Sequence, residues 1–156
     1  MKNLIKKWLG LTDSVKIGIK LTDAKIPTYT RDGDACVDLR ATHDITIKPK
    51  ETALVKTGIK IQFIPKGWML RVTNRSGMAL KNRILVGNSD GVIDEAYTGD
   101  IGVILHNLGT KAFVIEKGDR IAQMYPQKVI KFDFVETEVE RESNRGANGF
   151  NSSGVK

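Results

Sequence analysis

The chain has 156 residues, of which 40% are hydrophobic and 6% aromatic, a size and composition typical of one compact domain. Its formal net charge of +7 attracts polyanions of any kind, so charge alone does not distinguish nucleic acid, a membrane surface and nucleotide phosphates as partners. The single cysteine, Cys36, excludes an intrachain disulfide and favours a reducing compartment. We therefore expect a cytoplasmic protein, or one in the host cytoplasm if the source is a virus.

Residues 1–14 form a basic amphipathic segment. On a helix, Leu4, Ile5, Trp8 and Leu11 would share one face. Charged residues interrupt the apolar run too often for a membrane span or a signal peptide. We expect a frayed or packed N-terminal extension that makes no membrane contact.

Short β-type runs separated by turn residues fill residues 15–141. The predicted strands are 15–21, 45–47, 53–55, 59–64, 68–72, 101–105, 112–115 and 121–129. Turns are predicted at 65–67, 108–110 and 117–119, and a helical turn at 76–81. This spacing predicts an all-β domain, either a sandwich or a jelly-roll-like, distorted β-barrel of short strands.

Residues 142–156 are rich in Gly, Ser and Asn and should be disordered on their own. Composition leaves two interpretations open. The segment is a linker, or it is a flexible lid that orders on an anionic, ring-containing ligand. In the second case, backbone amides and hydroxyls would hold phosphate and Phe150 would stack on the ring.

Four further polar or Gly-rich segments interrupt the β pattern, at 35–41, 74–79, 91–101 and 118–124. Arg75 offers a planar fork of donors, and Ser76 with the following amides can form a nest for an anion. Residues 87–97 resemble a hairpin in which Asp94 is followed three residues later by Tyr97. Each feature is common by itself, because a surface arginine after a strand or an aspartate in a turn is usually structural.

Together with the tail, these segments resemble the five motifs of the trimeric dUTP pyrophosphatase family in order, spacing and content, from about Lys16 to Gly154. The resemblance implies hydrolysis of dUTP to dUMP and pyrophosphate, which limits uracil in DNA and supplies dUMP for thymidylate synthesis. It implies Mg²⁺ as the cofactor and no stable nucleic-acid partner. It also implies a homotrimer in which the tail of one chain closes an active site made by its neighbours.

The resemblance assigns roles to individual residues. Asp94 matches the general base that activates water, and Asp38 matches the carboxylate that holds Mg²⁺ through water. Tyr97 matches the ring that excludes a ribose 2′-hydroxyl, and Phe150 the ring that stacks on uracil. The positions that match uracil-reading groups are Asn88 and the hairpin backbone at Gly91, Val92 and Ile93. The remaining expected substrate contacts, chiefly to phosphate, are Arg75, Ser76, Gly77, Gln123, Arg145, Gly149, Ser152 and Ser153.

Several positions depart from the family's usual residues. Cys36 and Val37 replace Gly and Tyr, Thr98 replaces Arg, and Asn151 replaces Gly. Asn74 replaces a proline, which should alter the stiffness of the turn more than its chemistry.

Three other functions remain as alternatives. dCTP deaminase shares the fold, but its catalytic glutamate would fall at Ile104 of this chain. A non-catalytic, nucleotide-gated regulatory or binding trimer would have no need to retain Asp38, Asp94, Tyr97 and Arg145 together. Nucleic-acid binding through the basic surface would leave the five motifs unexplained.

Overall fold

The computed structural model describes residues 14–139 and 141–146, and within these ranges the chain is almost entirely β-structure. The strands are β1 (Gly18–Leu21), β2 (Val37–Arg40), β3 (Ile45–Ile47), β4 (Thr52–Phe63), β5 (Trp68–Thr73), β6 (Ile84–Val86), β7 (Gly91–Ile93), β8 (Asp100–Asn107), β9 (Phe113–Ile115) and β10 (Arg120–Lys128). A short π-helical turn, Met78–Asn82, lies between β5 and β6. The all-β prediction is confirmed, and so is a helical turn in this region. No helix in the described ranges has the length and hydropathy that a transmembrane span requires.

The described strands pair antiparallel in three open sheets. One sheet has the order β1-β4-β8-β6, the second has the order β2-β10-β5-β7, and the third is the pair β3-β9. This arrangement is consistent with a jelly-roll-like fold, but the described strands form no closed barrel. The predicted N-terminal helix falls within residues 1–13, which lie outside the described residues.

The core forms where alternate residues of the strands turn inward. In β4 and β8 every second residue is buried: Val55, Thr57, Ile59 and Ile61 on one strand, and Ile101, Val103, Leu105 and Asn107 on the other. The strand period of two therefore places one face of this sheet in the interior and the other at the surface.

The two predicted strands at 53–55 and 59–64 are one continuous strand, β4. Gly58 lies between them with a φ of +68°, and the register against β8 shifts between Lys56 and Lys60. This is the geometry of a β-bulge, in which a glycine adopts a left-handed conformation without ending the strand. The Thr57 hydroxyl donates to the Ile101 carbonyl at 2.7 Å and thereby bridges the bulge to β8.

Three strands, β2, β6 and β7, were missed because they are short and lie within or beside polar, glycine-rich segments. In β2, for example, buried Leu39 alternates with Asp38 and Arg40, so half of the strand resembles a loop in composition. Each of these strands gains its stability from the neighbour with which it pairs rather than from its own propensity.

Beyond β10 the chain continues as an apolar but exposed segment, residues 129–139. Ile130, Phe132, Phe134 and Val139 are 89%, 74%, 92% and 79% exposed. Among the described residues this segment belongs to no sheet. A contiguous run of such exposed apolar side chains is typical of a surface that another chain covers.

Replacement of Gly58 by alanine should destabilise the fold by more than backbone strain alone. An alanine Cβ at position 58 would lie 2.2 Å from the Thr22 carbonyl oxygen, in addition to adopting a left-handed φ. Gly67 is the matched control, because its φ is +77° but a Cβ there would meet nothing within 4 Å. We expect a loss of about 1–2 kcal/mol for Gly67→Ala and a clearly larger loss for Gly58→Ala in denaturant unfolding. Equal losses would contradict the bulge contact.

Candidate functional site

A cavity of about 250 Å³ lies where the two four-stranded sheets meet, beside β7 and β8. It brings together six residues that were predicted from the sequence: Asn88, Gly91, Val92, Ile93, Asp94 and Tyr97. Much of the opposite wall is β8, from Asp100 to Ile104. The cavity thus has an apolar wall, a backbone edge and a few polar side chains, which is the usual composition of a small-molecule site.

Tyr97 is fixed by contacts within its own turn. Its backbone N–H donates to the Asp94 carbonyl at 3.0 Å, and its hydroxyl donates to the Asp100 carbonyl at 2.7 Å. A Cβ on Gly99 would lie 2.3 Å from the Tyr97 hydroxyl oxygen. The ring can occupy this position only because residue 99 has no side chain.

The turn between β6 and β7 carries Asn88 and is held by an ion pair. Arg71 of β5 donates through Nη2 to the Asp90 carboxylate. Hydrogen bonds from Arg71 and from Thr73 hold the pKa of the Asp90 carboxyl below its ordinary value of 3.8. Asp90 is therefore a charged, structural residue of the turn at neutral pH.

A second cluster of predicted residues centres on Asp38 of β2. Its carboxylate accepts from Arg75 Nε at 3.1 Å and from Arg120 Nη1 at 3.3 Å, and the Asp38 side chain is only 11% exposed. Arg75 also donates through Nη1 to the Arg120 carbonyl at 3.1 Å. Gln123 lies directly opposite Asp38 in the β2–β10 register. The cluster presents two guanidinium groups whose orientation a nearly buried carboxylate controls.

Ser76 and Gly77 follow Arg75 at the start of the short helical turn. Both are exposed, and the Ala79 N–H donates to the Arg75 carbonyl at 3.0 Å, which closes the turn. A Cβ on Gly77 would meet nothing within 4 Å, so the space in front of this backbone is open. The amides and the Ser76 hydroxyl are thus accessible to an anion beside Arg75.

The Asp38 carboxylate is better suited to a hydrated cation than to a metal ion that protein ligands coordinate directly. In the part of the chain that the structure describes, no group of three or more His, Cys, Asp or Glu residues is arranged to hold a metal ion. From the residues that the structure describes, each Asp38 oxygen accepts one hydrogen bond, which leaves a second lone pair for water. Mg²⁺ keeps several waters and binds chiefly through phosphate oxygens, so a water-mediated contact from Asp38 fits its chemistry.

Cys36 lies two residues before Asp38 and is half-buried. Burial raises the pKa of its thiol above the ordinary value of 9.0, and the negative charges of Asp34 and Asp38 raise it further. The residue that replaces the usual glycine here is therefore a neutral thiol at physiological pH.

The sequence profile of the dUTPase family matches residues 22–154. The chain belongs to the dUTPase family. Among its relatives is the deoxyuridine 5′-triphosphate nucleotidohydrolase of Clostridium tetani, 44% identical over 141 residues that cover 90% of this chain and 97% of the relative. The protein of the same name from Helicobacter pylori strain P12 is 45% identical over 133 residues, which cover 85% of this chain and 91% of that relative. A mutant dUTPase of Staphylococcus bacteriophage 80alpha, solved with dUpNHpp, aligns with a TM-score of 0.80 at 26% identity and covers 90% of this chain and 99% of its own.

Within one dUTPase-family chain the predicted residues form two groups rather than one. Asp38 lies on β2, whereas the cavity residues lie on β7 and in the segments just before and after it, at the opposite edge of the sheet β2-β10-β5-β7. Two strands separate them, which corresponds to three strand spacings or roughly 14 Å. Arg145 is exposed in a turn at 144–146. Gly149, Phe150, Ser152 and Ser153 lie outside the described residues.

Sequence reasoning missed several side chains that support the dUTPase-family residues. Arg120 was not among the predicted site residues, although it shares the Asp38 carboxylate with Arg75. Arg71 and Asp90 were not singled out at all. The sequence contains one signal for Arg120, because this residue adjoins the predicted strand that carries Gln123. It contains no signal for the Arg71–Asp90 pair, whose partners are 19 residues apart.

The Arg71–Asp90 pair predicts a defined pH dependence. Because the folded-state pKa of Asp90 is lowered, the pair stabilises the fold above the unfolded-state pKa, and this contribution is lost as the pH falls through the folded-state pKa. Asp90→Asn should therefore lower the Tm at pH 6, and the difference from the parent chain should shrink below pH 3.8. Asp32→Asn is the control, since exposed Asp32 makes no ion pair in the described ranges. A Tm difference that grows towards acid pH would contradict this assignment.

Proposed function

We propose that this chain hydrolyses dUTP to dUMP and pyrophosphate. Two of its relatives carry the name deoxyuridine 5′-triphosphate nucleotidohydrolase, which states hydrolysis of the same nucleotide for those proteins. The cavity beside β7 is the observation that carries the proposal. It has a volume of about 250 Å³ and combines a backbone edge, Asn88, a carboxylate and a tyrosine ring. This is slightly below the roughly 300–1,000 Å³ of typical ligand pockets, so it suits one nucleoside rather than a larger ligand.

The hairpin provides the groups that a uracil ring needs. The side-chain amide of Asn88 and the backbone of Gly91 to Ile93 line the cavity and can offer donors and acceptors to the edge of the base. Cytosine presents the reverse pattern and would leave buried polar groups unpaired, which gives strong discrimination. A thymine methyl group would add bulk on the same side.

Tyr97 supports selection of deoxyribose. Its ring lines the cavity, and the hydrogen bond to Asp100 restrains it. A ring held at a fixed distance from the sugar leaves no space for a 2′-hydroxyl. UTP should therefore bind more weakly than dUTP.

Asp94 is the group best placed to act as the general base. It lines the cavity, is exposed, and its carboxylate accepts no hydrogen bond from the described residues. In the proposed reaction Asp94 removes a proton from water, the water oxygen attacks the α-phosphorus in line, and pyrophosphate leaves. Positioning and charge stabilisation supply most of the acceleration in such phosphoryl chemistry.

The Asp38 cluster serves the phosphates in this mechanism. Arg75 is oriented by Asp38 and, with Ser76, Gly77, Gln123 and Arg145, binds the triphosphate chain. Mg²⁺, held by the phosphates and through water by Asp38, would neutralise charge on the leaving pyrophosphate. The tail residues Gly149, Phe150, Ser152 and Ser153 complete the proposal as a lid whose phenylalanine stacks on the base.

A homotrimer belongs to the same proposal. One chain keeps Asp38 and the cavity at opposite edges of a sheet, and most of the cavity residues and all of residues 129–139 are exposed. Assembly with copies of the chain would cover the apolar segment and bring the Asp38 cluster of one chain to the cavity of another. The tail of a neighbour, with Arg145, would then close the combined site.

The structure offers no support for deamination at this cavity. Ile104 lines the cavity wall where a deaminase of this fold would need its glutamate. An isoleucine can neither activate water nor protonate a leaving amine. We accordingly propose dUTP hydrolysis and not deamination.

The proposal places this activity in the cytoplasm, or in the host cytoplasm for a viral source. It includes no stable nucleic-acid partner and no membrane contact by residues 1–14.

The direct test compares four substrates. The full chain with Mg²⁺ is incubated with dUTP, dCTP, dTTP and UTP, and the release of pyrophosphate and of ammonia is measured. We expect pyrophosphate from dUTP, far less from the other three, and none from dUTP when EDTA removes the metal. Ammonia from dCTP, or dUTP binding without any product, would overturn the proposed function.

Replacement of the proposed base separates chemistry from binding. Asp94→Asn keeps the shape of the side chain but removes the proton acceptor, so kcat should fall by about 10²–10⁴-fold while the KM for dUTP changes little. Near-normal turnover would exclude Asp94 as the base.

Mixed trimers use the same variant to test whether chains share a site. Asp94→Asn and Arg75→Ala chains are each inactive in the proposal, but co-expression should regenerate sites with an intact Asp94 from one chain and an intact Arg75 from another. The control mixes trimers purified separately, without subunit exchange. Absence of any restored activity after co-assembly would indicate that each site lies within one chain.

A further inference from the structure

The turn that carries Asn88 crosses from one sheet to the other. It begins at Val86, the end of β6, which pairs with β8, and it ends at Gly91, the start of β7, which pairs with β5. The position of Asn88 therefore depends on how the two sheets are held relative to each other at this point. Residues 87–89 are exposed, so core packing does not fix them.

One side chain connects the two sheets here. Asn74, which follows the last residue of β5, accepts a hydrogen bond through Oδ1 from the Val86 N–H at 2.6 Å. Val86 is 4% exposed, and a backbone N–H in such a buried residue needs an acceptor. The Val86 carbonyl in turn accepts from the Ser89 N–H at 3.2 Å, which closes the turn.

The far end of the turn has its own attachment to β5. Asp90 pairs with Arg71, and Gly91 pairs with Val72 in the β5–β7 register. Between the two attachments, Ser89 adopts a φ of +66°, a left-handed conformation that a non-glycine residue keeps only when its surroundings hold it. Without Asn74, the turn would be held to β5 at one end only.

Asn74 also adjoins the phosphate-binding side of the site. The next residue, Arg75, meets the Asp38 carboxylate. A proline at this position would have no side-chain acceptor. The asparagine of this chain thus ties the Asn88 turn to the strand that leads to Arg75, which a proline could not do.

We propose that Asn74 is a positioning residue that sets base selectivity by fixing the Asn88 turn to the strand that leads to Arg75. This inference rests on the proposed function, because it assumes that Asn88 reads the base. Asn74 acts through the turn, without contact to the substrate.

Three variants of Asn74 test the inference. Asn74→Ala and Asn74→Pro remove the acceptor, whereas Asn74→Asp keeps a carboxylate oxygen that can accept from Val86. Asn82→Ala is the control, since Asn82 is an exposed asparagine at the end of the neighbouring helical turn. For each chain, kcat/KM is measured with dUTP and with dCTP. The negative charge that Asn74→Asp adds affects both triphosphates alike and cancels in the ratio of the two values.

We expect Asn74→Ala and Asn74→Pro to lower the dUTP-to-dCTP ratio about tenfold, the size of effect that one lost hydrogen bond can produce. Asn74→Asp and Asn82→Ala should keep the ratio within about twofold of the parent chain, since neither removes the acceptor for Val86. An unchanged ratio in both Asn74→Ala and Asn74→Pro would overturn the inference, even if both raise the KM. If Asn74→Ala does not fold, the dUTP-to-dCTP ratio of Asn74→Pro alone decides the test.

Amide hydrogen exchange separates failure of this inference from failure of the proposed function. The Val86 amide should lose protection in Asn74→Ala and retain it in Asn74→Asp, whatever the enzyme hydrolyses. Full protection of Val86 in Asn74→Ala would contradict the link itself. If the parent chain fails to hydrolyse dUTP, the proposed function and the selectivity role fall together, while the exchange result still decides whether the link exists.

Discussion

The backbone hydrogen bonds that hold β5 between β10 and β7 position both described groups of candidate site residues, the Asp38 cluster and the cavity beside β7. On one side, β5 aligns Thr73 with Gln123, which in turn aligns with Asp38; on the other, it aligns Val72 with Gly91. The end of β5 then leads directly into Asn74 and Arg75. A shift of one residue in this register would turn each of these side chains to the opposite face of the sheet. The phosphate-binding cluster and the nucleoside cavity are thus placed by the same pairing.

Hydrophobic periodicity predicted the fold class and most strands, because burial on one face requires the alternation that β4 and β8 display. It failed where backbone geometry or a neighbour decides the outcome. Gly58 resembles a turn in the sequence, yet a left-handed bulge lets the strand continue through it. The strand β2 contains as many charged as apolar residues and exists because β10 pairs with it. Neither result can be read from local composition.

The six cavity residues were predicted because they occur together in one stretch of sequence that matches a family motif. The residues that hold this stretch in place were not. Arg71 with Asp90, and Asn74 with Val86, are pairs whose partners lie 19 and 12 residues apart and meet only after the sheets form. Their side chains are ordinary in composition, so the sequence contains no signal that links them. Candidate roles could be proposed from the motifs, whereas the contacts that orient the motifs form only between strands of the folded sheets.

The thiol of Cys36 offers a position for chemical labelling two residues before Asp38. As the one cysteine in the chain, it gives a single alkylation site. Its pKa is raised by burial and by the charges of Asp34 and Asp38, so it reacts slowly at neutral pH. Burial contributes more to this effect than the two carboxylates do. The labelling rate of a residue outside the proposed chemistry therefore reports how tightly the start of β2 is packed beside Asp38.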